Sequence, residues 1–253
     1  MFKDKTIIIT GASSGIGQAV ATAFLKQGAN IVINARTRSK LEQFAQQYQE
    51  HQANMLIVDG DIGLPSTGQQ LVEQACQRFG HVDVLVNNAG TFVPKAFLDV
   101  NEQELDSYYS TTVKGSYFTS QAVIPAMVKQ QDGVIINIGS MWVEHPLEAT
   151  PCSASQVAKG GMHTLTRHLA IEFAADNIRV NTIAPAVIDT PLYDNLMERE
   201  QLTQLANLHP LRKLGQMSDI TGWVLHLAGM GSGFVTGQTI HVDGGITAGA
   251  HIQ

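Results

Sequence analysis

Seven short apolar runs, separated by stretches with helical spacing, constrain this chain more tightly than any other feature. Residues 6–10, 30–35, 55–58, 82–87, 133–138, 178–183 and 239–242 read as strands, and their apolar character is nearly continuous rather than alternating. Strands of that kind belong to a parallel sheet with helices on both faces, because both faces must then be apolar. Between them, Leu41, Phe44, Ala45 and Tyr48, or Met162, Leu165, Leu169 and Phe173, fall at the three-and-four spacing of a helix stripe. The predicted fold class is therefore α/β, a Rossmann-type doubly wound domain with a seven-stranded parallel sheet and helices on both faces.

No Pro-, Gly- or Ser-rich linker and no fixed-period repeat divides the 253 residues, which predicts one domain over 1–253. The interruption is 189–214, polar and dotted with Met and Leu, between the sixth strand and the last helix. A segment that leaves the C-terminal end of a strand in an open α/β sheet lies over the ligand crevice, so 189–214 is the predicted substrate lid.

The formal charge is −6, and no block of Lys or Arg forms the basic face that a phosphate backbone requires, so no nucleic-acid partner is expected. The chain runs from Met1 into strand-like Ile7-Ile8-Ile9 without a long apolar segment or cleavage-site pattern, and no run approaches a membrane span. Cys76 and Cys152 lie far apart, outside any C-x-x-C pattern, as suits a reducing compartment. A cytoplasmic location without membrane attachment is the expectation. The histidines match no metal-ligand spacing, so no metal is predicted.

Directly after the first strand comes Thr10-Gly11-Ala12-Ser13-Ser14-Gly15-Ile16-Gly17, opening a helix with Ile16, Val20, Ala23 and Phe24 on one face. Glycines in such a turn let backbone N–H groups approach a pyrophosphate, which the positive end of the helix then holds. The spacing is G-x-x-x-G-x-G rather than the commoner G-x-G-x-x-G. Taken with Asn87-Asn88-Ala89-Gly90 after the fourth strand, Ser140 after the fifth, Lys159, and Asn181-Thr182-Ile183-Ala184-Pro185, this turn gives the chain a resemblance to the short-chain dehydrogenase/reductase family over essentially its whole length. The resemblance implies a nicotinamide nucleotide held by Gly11, Ser13, Ser14, Gly15, Ile16 and Gly17. It further implies Asp61 at the adenine, Asn88, Ala89 and Gly90 along the groove, Lys159 on the ribose, and Pro185 and Thr190 near the carboxamide. The family's usual Pro-Gly is Pro185-Ala186 here.

The cofactor's 2′ position is read at the end of the second strand. A carboxylate there would bind both ribose hydroxyls and repel a 2′-phosphate, whereas this chain has Ile33-Asn34-Ala35-Arg36-Thr37-Arg38. Arg36 can clamp a phosphate with two parallel N–H groups, with Arg38 as a second donor, and the sequence predicts NADP(H) in preference to NAD(H).

Members of the resembled family move hydride between the nicotinamide and a carbonyl/alcohol pair while a tyrosine handles the proton. A lysine four residues later lowers the phenol pKa, a serine polarises the substrate oxygen, and an asparagine completes a proton path. The stretch Lys159-Gly160-Gly161-Met162-His163-Thr164-Leu165-Thr166, within a helix read over 155–175, sets the register, and counting back four residues gives Ser155. Thr112, on a helix read over 107–129, takes the asparagine position, so the candidate catalytic set is Ser140, Ser155, Lys159 and Thr112. A serine hydroxyl is un-ionised near neutrality and ends roughly 4 Å short of a phenol oxygen. Losing a positioned acid forfeits on the order of 10² to 10⁴ in rate, some of which a water held by Ser155, Lys159 and Ser140 can recover. His145, Cys152 and Tyr193 flank the crevice as other proton donors, each better read as a solvated, packed or wall residue; Tyr108 and Tyr109 read as packing or interface residues. A Ser/Lys hydrolase is disfavoured, because Ile138 and Trp142 replace the glycines of a nucleophile elbow and the S-x-x-K spacing is missed.

The expected activity is an NADP(H)-dependent oxidoreductase acting on a small or medium apolar carbonyl/alcohol substrate, with proton transfer impaired or unconventional. A nucleotide-binding protein without turnover, or an inactive variant of an active reductase, stays open at this point. The resemblance also implies a homo-oligomer, a tetramer or dimer, assembled through the long central helices and the C-terminal region around 237–245.

Overall fold

The computed structural model describes residues 1–148 and 150–249. The chain alternates β1 (Thr6–Thr10), α1 (Gly15–Leu25), β2 (Asn30–Ala35), α2 (Arg38–Gln47), β3 (Met55–Asp59), α3 (Pro65–Phe79) and β4 (Val84–Asn87). Then follow α4 (Glu102–Tyr108), α5 (Gly115–Gln130), β5 (Gly133–Ile138), α6 (Ser153–Glu172), β6 (Ile178–Pro185), α7 (Arg199–Gln204), α8 (Met217–Ala228) and β7 (Thr239–Val242). The strands form one parallel sheet in the order β3-β2-β1-β4-β5-β6-β7, the doubly wound arrangement expected from the sequence. The order reverses between β1 and β4, and the crevice outside their carboxyl ends is where such sheets bind ligands.

Successive residues of each strand serve two cores. Ile7, Ile9, Ile31, Ile33, Val84 and Val86 pack with Val20, Phe24 and Leu41 of α1 and α2 and with Ile220 and Val224 of α8. Ile8, Val32 and Leu85 face the opposite way, onto Leu71 of α3 and Val123 and Met127 of α5. All five residues of β1 are buried, which explains the unbroken apolar run: no strand position is left to solvent.

Several boundaries differ from the sequence reading. β3 continues to Asp59 and β6 to Pro185, while β4 starts only at Val84. The Asp83 carboxylate accepts the Thr6 amide at 2.8 Å and the Lys5 ammonium at 2.7 Å, tying the approach to β4 to the start of β1. The helix read over 155–175 is α6, and it begins two residues earlier, at Ser153. The helix read over 107–129 is interrupted: Tyr109–Lys114 is a π-helical stretch between α4 and α5. Ser116 Oγ donates to the Thr112 carbonyl at 2.6 Å, satisfying a backbone acceptor there.

The 189–214 excursion folds as a 3₁₀ turn (Pro191–Asn195), α7 and a second 3₁₀ turn (Leu205–Leu208). Its base is pinned where Asp189 N–H donates to the Gly215 carbonyl at 2.8 Å and Gly215 N–H to the Val187 carbonyl at 3.0 Å. No helix among the described residues is long and apolar enough to cross a membrane.

Candidate active site

The glycine turn between β1 and α1 is held from below. Asn88 donates its side-chain amide to the carbonyls of Thr10 and Gly11, both at 3.0 Å, and the backbone N–H groups of Asn88 and Ala89 share the Thr10 hydroxyl at 3.1 Å. A Cβ on Gly17 would collide with the Gly11 carbonyl and the Asn88 amide, so this glycine serves close helix–turn packing. Ser14, the N-cap of α1, makes no side-chain cap, and the first turn carries no acidic residue. The first N–H groups of α1 therefore lack an internal partner and open onto a cleft. In front of Gly15 a Cβ would find nothing nearer than Thr190 at 3.8 Å, which leaves open space at a helix N-terminus, where an anion is favoured.

That cleft encloses about 480 Å³ and brings together Gly11, Ser14, Gly15, Ile16, Asn88, Ala89 and Gly90 with Ser140, Ser155, Lys159, Pro185 and Thr190. Five sequence-predicted residues lie outside its lining, each for a visible reason. Ser13 is half-buried within the turn, and Gly17 is buried against Gly11 and Asn88. Asp61 is exposed, its carboxylate accepting the Gly63 N–H at 2.9 Å. Arg36 is exposed at the end of β2 with no side-chain partner among the described residues, whereas Arg38 is committed to Glu42 and Asp59, each at 2.8 Å. Two of the Arg38 donors, Nε and Nη1, are thus taken up by carboxylates. Thr112 is 2% exposed within the π-helical stretch, but its hydroxyl and the Lys159 ammonium both approach Gly90, at 3.8 and 3.4 Å from where a Cβ would stand.

Lys159 donates to the Ile138 carbonyl, and burial lowers its ammonium pKa to about 8. Ser155 is 4% exposed; its hydroxyl donates to the Cys152 carbonyl at 2.9 Å and accepts from the Gln156 amide at 3.1 Å. The Ser155 proton is therefore engaged in the first turn of α6. Ser140 Oγ accepts from the Trp142 N–H at 3.3 Å, which leaves its own proton free to point at a ligand oxygen. Tyr193 is buried in the cleft wall, and burial pushes its phenol up to about 12, so it keeps its proton. Burial also raises the Cys152 thiol. Tyr108 is a packing residue, its hydroxyl exchanging hydrogen bonds with the Val93 backbone.

Sequence reasoning missed Lys40, which lines the cleft from the first turn of α2, and Gln156. Lys40 has a signal only in hindsight of the helix start; Gln156 has none, since nothing in its neighbours says that it turns back onto Ser155. Trp142 Nε1 and Gln156 Oε1 are buried without partners, so the cleft walls carry two polar atoms free to meet a ligand. Among the described residues no group of three or more His, Cys, Asp and Glu side chains is placed to hold a metal ion.

The family model described as Enoyl-(Acyl carrier protein) reductase matches residues 11–247, from the glycine turn past the last strand. The chain belongs to the short-chain dehydrogenase/reductase family. This dehydrogenase/reductase is 37% identical to the (2S)-[(R)-hydroxy(phenyl)methyl]succinyl-CoA dehydrogenase subunit BbsD of Thauera aromatica, over 96% of each chain. It is 32% identical to the 3-oxoacyl-[acyl-carrier-protein] reductase FabG of Thermotoga maritima, over 96% of this chain and 97% of that one. Its fold matches a gluconate 5-dehydrogenase from Burkholderia cenocepacia J2315, solved with NADP and tartrate, with a TM-score of 0.90 and 28% identity over 98% and 97% of the two chains. It is an NAD(P)-dependent oxidoreductase of the short-chain type.

Proposed function

We propose that the chain is an NADP(H)-dependent reductase or dehydrogenase for a carbonyl/alcohol pair, in which Ser155 replaces the family tyrosine and Lys159 is the proton reservoir. One observation carries the reading: the uncapped start of α1, Ser140 and Lys159 converge on one cleft, with the half-buried Lys159 ammonium tied to the Ile138 carbonyl. When bound, the nicotinamide supplies or accepts hydride. Gly11, Ser14, Gly15 and Ile16 would hold the pyrophosphate, Asn88 to Gly90 would flank it, Pro185 and Thr190 would meet the carboxamide, and Lys159 would hold the ribose. Asp61 would meet the adenine. Ser140 donates its free hydroxyl proton as a hydrogen bond to the substrate oxygen. In reduction that oxygen gains its proton from the Lys159 ammonium through a water molecule, because the Ser155 proton is engaged by Cys152. Thr112 completes the path at Gly90.

The unpartnered Arg36 guanidinium supports NADP(H), with Lys40 as the second cation in place of Arg38. The protein acts in the cytoplasm as a single domain, with 189–214 as the substrate lid.

A second reading, a nucleotide-binding protein without turnover, draws on the same engaged Ser155 hydroxyl. Titration with NADPH and NADH, followed by nucleotide fluorescence, and then addition of a carbonyl panel separates the two. Tighter NADPH binding followed by oxidation is expected. Binding without oxidation favours the second reading, and binding to neither nucleotide overturns both.

A further inference from the structure

The inner face of α6 clips the end of β5 at three successive places. Asn137 donates to the Thr166 hydroxyl at 2.8 Å, Ile138 accepts from Lys159, and the Ser140 backbone N–H donates to His163 Nε2 at 3.3 Å. His163 is 2% exposed and lies one helical turn beyond Lys159. Its ring occupies the space over Gly139, where a Cβ would collide with Nε2 and with Thr182. Accepting from Ser140 requires a lone pair on Nε2, so the neutral ring carries its proton on Nδ1. Nδ1 has no hydrogen-bond partner and faces Glu144 Oε1 at 3.7 Å; the other carboxylate oxygen faces the equally unpartnered His241 Nε2, on β7, at 3.5 Å.

We propose that His163 is a positioning residue for Ser140: its Nε2, kept unprotonated by a proton on Nδ1 aimed at Glu144, fixes the backbone that aims the Ser140 hydroxyl, and His241 steadies Glu144 from the last strand. The catalytic part of this inference rests on the reductase reading above. The groups facing the ring are Lys159 on its own helix, Glu144 on the turn after β5 and His241 on β7. Burial is the largest influence and Lys159 the next, both disfavouring the imidazolium and holding the ring pKa at about 4, so the acceptor persists at neutral pH.

Two measurements test the proposal. In ¹⁵N-histidine-labelled protein at neutral pH, His163 is expected to show an unprotonated Nε2 coupled across the hydrogen bond to the Ser140 amide, with the proton on Nδ1. A proton on Nε2 overturns the proposal. In kinetics, His163→Leu removes the acceptor and is expected to lower kcat by about ten- to a hundredfold, the scale of a misplaced catalytic group, with the NADPH Kd and carbonyl KM unchanged. His163→Gln, whose amide oxygen reaches the Nε2 position, is expected to recover most of that loss. Equal kcat in the two variants overturns the positioning role. If the wild-type protein reduces no carbonyl, the reductase reading fails and the nitrogen spectra alone decide where His163 holds its proton.

Discussion

In the proposed reading Ser155 stands where the family's tyrosine would act, and it carries the clearest prediction. Its side chain ends in the first turn of α6, satisfied by Cys152 and Gln156, while burial holds the Lys159 ammonium beyond it at a lowered pKa of about 8. Ser155→Tyr is expected to raise turnover of a carbonyl panel by about 10² to 10⁴, the contribution of one positioned acid. An unchanged rate would point to the binding protein. In the proposed mechanism the wild-type chain draws the reducing proton from Lys159, so kcat/KM is expected to be flat below pH 8 and to fall above the lysine pKa of about 8, with the opposite slope for alcohol oxidation. A pH–rate profile in both directions checks this. His163 makes a separate prediction about stability. Its folded pKa is about 4 against an unfolded value of 6.5, so between those limits the unfolded chain binds the extra proton. The neutral ring's contribution is complete above pH 6.5 and is lost as the pH falls toward 4, a change of about 3 kcal/mol. Denaturant midpoints from pH 4 to 7 should follow that slope, and His163→Gln should flatten it.

Among the elements, α6 is the organiser of the site. Ser155, Lys159 and His163 lie one turn apart, so one helix face sets the cleft wall, the ammonium and the support for Ser140. The spacing of the first two was visible in the sequence; the third was not, because a histidine on a helix shows no partner until β5 is laid against it. The π-helical stretch at Tyr109–Lys114 was equally hidden, since its residues carry an ordinary helical composition. The excursion after β6 is latched by Arg199, whose guanidinium pairs both Asp189 oxygens at 2.5 Å and holds that carboxyl below its usual range. Arg199→Ala is expected to speed limited proteolysis within 189–214 while leaving the thermal midpoint of the sheet unchanged, because an exposed pair contributes little to global stability. A shifted midpoint with unchanged cleavage would show that the pair is not a latch.

At the level of the molecule, two cores on opposite sides of one sheet account for the near-continuous apolar strands. The helices that cover them leave apolar residues outside: Val157 and Ile171 on α6 are 70% and 80% exposed, with Tyr109 and Tyr117 on the neighbouring segments and Met230 and Phe234 before β7. Apolar surface spread over those helices and the approach to the last strand suits burial against further copies of the chain. Light scattering is expected to give a dimer or tetramer mass, and a monomer at micromolar concentration would remove that expectation.

The sequence by itself determined the layered α/β fold, the strand sequence and the glycine turn, because apolar periodicity and turn chemistry are local properties of the chain. It also singled out Ser140, Ser155 and Lys159, whose register follows from motifs in fixed order and which the fold brings to one cleft. What only the tertiary structure decided are contacts between residues distant along the chain: Arg38 drawn away by Asp59, the Ser140 amide resting on His163, and His241 meeting Glu144. Each depends on how strands and helices stack, and an ion pair or hydrogen bond across tens of residues leaves no periodic trace in the sequence.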